Sequence, residues 1–161
     1  MSSPGAGSAG HIFGELFKIM TGLHIVHVPY RASFRRTGAG WISYNRCGDR
    51  ALRTGKLRAL AVTAATRVDV LPDIPALGEF VSGYEASGWI GIGAPRSTSA
   101  QIIETLNKAI NAALTDPKMR ARLADLGFAP LANSPAEFGN YIVQYTEKWG
   151  KVVRAANIKG E

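Results

Sequence analysis

The stretch SSPGAGSAGHIFGELFKIMTG (residues 2–22) decides how this chain is read. Gly5 and Gly7 make a loop whose backbone can approach a ligand closely. Ser8 is a suitable N-cap, and a helix from about Ala9 to Thr21 follows, with Gly22 in the C′ position. Ile12, Leu16, Ile19 and Met20 form its apolar face, with Glu15 and Lys18 outside that stripe. Loops of this kind ordinarily join a strand to a helix and present amides to an anion. Here the helix is legible and no strand is expected in front of the loop. Gly5, Gly7, Ser8 and His11 together suit a carboxylate or phosphate, yet the spacing is neither a Walker loop nor G-x-G-x-x-G. Taken locally, a plain glycine-rich turn with a capping serine accounts for the same residues.

Outward from this segment, LHIVHVPY (23–30), KLRALAVT (56–63) and WIGIGAP (89–95) read as strands, the second buried on both faces. LPDIPALGEF (71–80) reads as an ordered surface loop with a short helical turn. The C-terminal half is helical. Thr98-Ser99-Ala100-Gln101 fits a capping box ahead of Ile102, Ile103, Leu106, Ile110 and Leu114. Asp116-Pro117 starts a further helix that stops at Gly127. Ser134-Pro135-Ala136-Glu137 opens another, whose stripe Phe138, Tyr141, Ile142, Tyr145, Trp149 and Val152 reads as core packing. Strands alternating with capped helices predict an α/β fold with a largely parallel sheet.

The 161 residues suffice for a sizeable core, and 46% apolar with 19% charged residues is the composition of a soluble globular chain. No stretch approaches the length of a membrane span. The N-terminus lacks the basic and apolar regions of a signal peptide, so the chain as written is expected to stay in the cytoplasm. The net charge of +7 is confined to residues 31–58, where Arg31, Arg35, Arg36, Arg46, Arg50, Arg53, Lys56 and Arg58 face only Asp49. A neutral body with one basic insert is unlike a chain built to track phosphates along a nucleic acid, and no nucleic-acid partner is expected.

Catalytic chemistry finds little support. Cys47 has no placed His or Asp partner, and as the single cysteine it forms no internal disulfide. His24 and His27, three apart on a strand, fall on opposite faces and cannot share a metal. There is no converging carboxylate pair and no nucleophile elbow. We therefore expect neither enzymatic activity nor a cofactor or metal.

Read together, SSPGAGSAGHIFGELFKIMTG, HIVHVPYR, TGKLRALAVT, LPDIPALGEFVSGYEASGWIGIGAP and KWGKVVRAANIK resemble the Bug-type substrate-binding receptors of tripartite tricarboxylate transporters. The resemblance covers residues 2–33 and 54–161. It implies a non-catalytic periplasmic receptor with a periplasmic-binding-protein type II-like fold, two α/β lobes joined by a hinge. Such a receptor closes on a small carboxylate and hands it to membrane permease subunits. Carried over, Gly5, Gly7, Ser8 and His11 form the first ligand contact and Tyr30, Arg31 and Ser33 the second. Asn45 matches a position facing the cleft. The resemblance also implies an incomplete two-lobe fold. Residues 1–88 would be part of the second lobe, and 89–161 the C-terminal part of the first.

Two departures accompany it. Receptors of this type begin well upstream, with a signal peptide, most of the first lobe and the strand feeding the loop, so the loop is expected to be orphaned by truncation. The text FRRTGAGWISYNRCGDRALR (34–53) is shorter and more basic than the helix and strand expected there, as an out-of-frame reading or a decayed gene would produce. Unpaired ladder groups and uncovered apolar edges would make such a chain marginally stable or self-associating, with weak carboxylate affinity. A cytoplasmic carboxylate-sensing protein and a non-functional gene product are the competing readings.

Overall fold

Ser8 stands at the N-cap in extended conformation and its Oγ accepts the amide of His11, which starts helix α1 (Ala9–Thr21). Gly22 ends that helix with φ 68°, a left-handed turn that favours glycine, and its amide returns to Lys18 O at 2.9 Å. The structure, a computed structural model, describes residues 1–3, 5–29, 54–55, 58–68 and 71–159. Contrary to expectation, a short strand does precede the glycine loop. Strand β1 (Ser2–Ser3) pairs in parallel with β2 (Val28–Pro29), in the register Ser2↔Val28 and Ser3↔Pro29. The segment is thus a β1–α1–β2 crossover, with the loop between strand and helix.

The buried face of α1 is Gly10, Phe13, Gly14 and Glu15. This corrects the stripe read from sequence, since Ile19 and Met20 are exposed and Glu15 is only 8% exposed. Phe13 packs against Trp149 with ring centroids 4.9 Å apart, and Phe17 meets Tyr84 edge-on at 6.1 Å. With Ala76, Ala86 and Val152 these residues form the core of the first of two units, Met1–Gly88 with Trp149–Glu161.

Of the three strands predicted, 23–30 shrinks to Val28–Pro29. Within the described part of 56–63 only Val62 pairs, through an isolated parallel bridge to Ala76, and Leu60 is 72% exposed rather than buried on both faces. Residues 89–95 form no strand, and Ile90 and Ile92 are exposed. A strand requires a neighbour to complete its ladder, and no described strand lies beside these residues. The segment 71–80 is the ordered loop expected, carrying a 3-10 turn at Leu77–Glu79.

The second unit, Trp89–Lys148, is helical. Helix α2 (Ala100–Thr115) begins at Ser99, whose side chain makes no capping bond, so the box read at Thr98–Gln101 does not form. Helix α3 (Pro117–Asp125) starts as expected, with Asp116 accepting the Met119 amide at 2.9 Å. Helix α4 (Pro135–Ala155) runs on into the first unit and is opened by a formed capping box. There Ser134 N–H donates to Glu137 Oε2 at 2.7 Å, and Glu137 N–H to Ser134 Oγ at 3.2 Å. The stripe on α4 divides. Trp149 and Val152 are buried, whereas Phe138, Tyr141 and Tyr145 are half-buried and gather edge-on around Trp89, with centroids at 5.2, 6.0 and 5.8 Å. Asn107 and Asn111 both donate to Asn133 O, fastening the loop before α4 to α2.

Candidate functional site

The crossover brings the polar groups of the loop together around Ser3, which is fully buried. Ser3 Oγ lies 3.0 Å from Gly5 O and 2.7 Å from His27 Nε2. The Ser8 hydroxyl donates to Gly5 O at 2.7 Å and sits 3.1 Å from Ser3 Oγ. Gly7, at φ 72°, donates its amide to His11 Nδ1 at 3.0 Å. That positive φ aims the amide at the following helical turn, a conformation that a side chain at residue 7 would strain.

One turn further along α1, His11 Nε2 lies 3.5 Å from Glu15 Oε1, and Lys18 Nζ reaches both Glu15 oxygens at 2.9 Å. The His11 and His27 rings stack, with centroids 3.7 Å apart and planes inclined by 10°. Burial, and after it the neighbouring His11, hold His27 below the ordinary histidine value, while Glu15 acts in the opposite sense. Ala9 and Gly10, in the first turn of α1, have no carbonyl one turn earlier within the helix. Their amides, together with the positive end of the helix dipole, favour an anion beside the loop.

The structure brings Gly5, Gly7, Ser8 and His11 together in one place. Tyr30, Arg31, Ser33, Asn45 and Cys47 lie outside the described residues. Sequence reasoning missed Ser3, Glu15 and His27. The alternation of 23–30 says only that His27 does not share a face with His24, whereas the parallel register carries it beside Ser3 and over His11. The signal that could have found it is the crossover itself, since a strand returning parallel to β1 must pass the loop. His24 is exposed. Among the described residues no cluster of three or more His, Cys, Asp or Glu could hold a metal, and no helix is long and apolar enough to cross a membrane.

Known proteins share the sequence and architecture of this chain. Residues 1–158 match the family described as Tripartite tricarboxylate transporter family receptor. Protein BugT of Bordetella pertussis is 31% identical over 163 residues, covering 95% of this chain and 49% of BugT. The "UPF0065 protein in clcB-clcD intergenic region" of Pseudomonas knackmussii is 29% identical over 158 residues, covering 92% of this chain and 94% of that protein. The chain thus spans about half the length of BugT, and nearly all of the shorter Pseudomonas protein. Among solved structures, R. palustris Rpa4515 with adipate superposes with a TM-score of 0.82 and 34% identity, over 98% of this chain and 55% of that one. The periplasmic binding protein BugD superposes with a TM-score of 0.72 at 24% identity, over 99% and 57%, and supports the fold alone. The architecture is accordingly that of part of an α/β periplasmic-binding-protein fold.

Proposed function

The chain belongs to the tripartite tricarboxylate transporter receptor family, and on that premise we propose that it captures a small carboxylate as part of a solute-binding receptor. The observation that carries this reading is the superposition on R. palustris Rpa4515 with adipate across 98% of the chain. A linear dicarboxylate is therefore the ligand class to test first. One carboxylate would lie against the Gly5–Ser8 loop and the start of α1, where first-turn amides and the helix dipole stabilise negative charge without a dedicated counter-ion. Tyr30, Arg31 and Ser33 would supply the second contact, and Asn45 would face the cleft. In this reading residues 1–88 belong to the second lobe and 89–161 to the first. The receptor acts in the periplasm, catalyses nothing, needs no cofactor, and passes its ligand to membrane permease subunits.

Calorimetric titration of the purified chain with adipate tests the proposal. Saturable binding is expected, weakened about tenfold or more by Gly7→Val, which removes the left-handed turn. No heat of binding with adipate, or affinity unchanged in a folded Gly7→Val variant, would overturn it.

A further inference from the structure

His11, in the first turn of α1, and His27, just before β2, lie face to face at 3.7 Å. The hydrogen bonds around them fix where protons can go. Because His11 Nδ1 accepts the Gly7 amide at 3.0 Å, the neutral ring carries its proton on Nε2, the atom facing Glu15 at 3.5 Å. A second proton can enter only at Nδ1. An imidazolium has no acceptor left, so its formation necessarily breaks the bond to Gly7.

The surroundings decide how many protons the pair takes and on which ring. Two stacked imidazolium rings would repel, so charge on one opposes charge on the other. From α1 the pair faces the carboxylate of Glu15 and the ammonium of Lys18 that neutralises it. From the residue before β1 it faces the Met1 ammonium, which donates to Val26 O at 2.8 Å. The carboxylate stands against His11, whereas His27 is held to the buried Ser3 hydroxyl. His11 is thus the ring whose second proton would displace the Gly7 amide, and Glu15 is the carboxylate that faces it.

We propose that the stacked His11–His27 pair is a one-proton switch on the glycine loop, in which protonation of His11 withdraws the acceptor that pins the Gly7 amide and releases that amide. Under the receptor reading, on which this consequence rests, the released N–H and the new positive charge both favour an anion at the loop. Carboxylate affinity then rises as pH falls.

The test follows the Gly7 amide and the imidazole nitrogens of the ¹⁵N-labelled full chain by NMR between about pH 8 and 5.5, the range over which histidine changes charge. Gly7 is expected to shift with the same midpoint as the His11 ring. In His11→Gln, whose carboxamide oxygen accepts the amide without titrating, Gly7 stays flat. A Gly7 amide that does not move while the wild-type His11 ring titrates overturns the switch, and this reading needs no variant to fold. Adipate affinity is then compared at about pH 8 and 6, both above the ordinary carboxylate range of about 4. Several-fold tighter binding at the lower pH supports the coupling, and equal affinity overturns it. Absence of adipate binding at both pH values defeats the receptor reading, while the Gly7 titration still decides the switch.

Discussion

The phenol of Tyr84 donates to the main-chain carbonyl of Phe13 at 3.0 Å, joining residues 71 positions apart in the chain. Tyr84 is 2% exposed, and this bond ties the loop after the 3-10 turn to the helix that starts at the glycine loop. Tyr84→Phe should cost about 1 kcal/mol, the net worth of a buried neutral hydrogen bond. Tyr84→Ala should cost about 3–5 kcal/mol, because it also opens a cavity against Phe17. Urea unfolding separates the two. Burial pushes the Tyr84 hydroxyl up to about 12 in the folded chain, from an ordinary value of 10. The unfolded chain ionises first, so this contribution is complete below pH 10 and is lost as pH rises towards 12. Tyr84→Phe should lack that alkaline loss.

Glu79 shows the opposite sign. Its carboxylate accepts from Arg67 Nε at 2.9 Å, from Arg67 Nη2 at 2.8 Å and from the Ala76 amide at 2.9 Å. The Arg67 hydrogen bonds first, then the Ala76 amide, bring it down to about 2 from an ordinary 4.5. Stability from this group is present above pH 4.5 and lost as pH falls towards 2. Glu79→Gln should therefore melt below wild type at pH 6, with the gap closing through that acid window. Both side chains are about half exposed, so about 1 M salt should narrow the gap at pH 6 as well. A gap that stays constant from pH 6 to pH 2 would show that the ion pair and cap do not set the acid limb.

Two serines that look alike in sequence should behave differently. Ser134 and Glu137 satisfy one another's amides, whereas Ser99 makes no side-chain bond at the start of α2. Ser134→Ala should cost about 1 kcal/mol and Ser99→Ala only a few tenths, read as a shift in urea midpoint. Glu137 is held below the ordinary carboxylate value by the Ser134 amide and then its hydroxyl. The Ser134→Ala penalty should therefore shrink in acid, because the hydroxyl that the substitution removes donates to the ionised Glu137 carboxylate.

That contrast marks how far the sequence could be read. Helix α1 runs Ala9–Thr21 between Ser8 and Gly22, and α3 starts at Asp116-Pro117, as their residues predict. A helix carries its hydrogen bonds and caps within neighbouring residues, so local text is enough. Strands depend on a partner from elsewhere. The alternating apolar residues of 89–95 give no ladder because no described strand stands beside them. The site divides in the same way. Gly5, Gly7, Ser8 and His11 were legible because loop and helix are contiguous. His27 was not, since its place over His11 follows from the register Ser3↔Pro29. Glu15 was misread because the α1 face that is buried is set by Trp149 and Tyr84, residues far along the chain.

Gly91 gives the sharpest steric prediction. A Cβ there would overlap the Phe138 ring, with Cε1 at only 2.9 Å. That ring is edge-on to Trp89 at 5.2 Å and belongs to the cluster formed with Tyr141 and Tyr145. Gly91→Ala should therefore displace Phe138, shift Trp89 fluorescence and cost about 1–3 kcal/mol, the usual penalty of overpacking. Because the obstacle is a ring and not backbone, shortening it should relieve the strain. In Phe138→Leu the added methyl should cost less than in wild type, a coupling that a double-mutant cycle measures directly. Additive penalties would mean that Gly91 is required for its backbone conformation. Its φ lies outside the left-handed region, which argues for the ring as the cause.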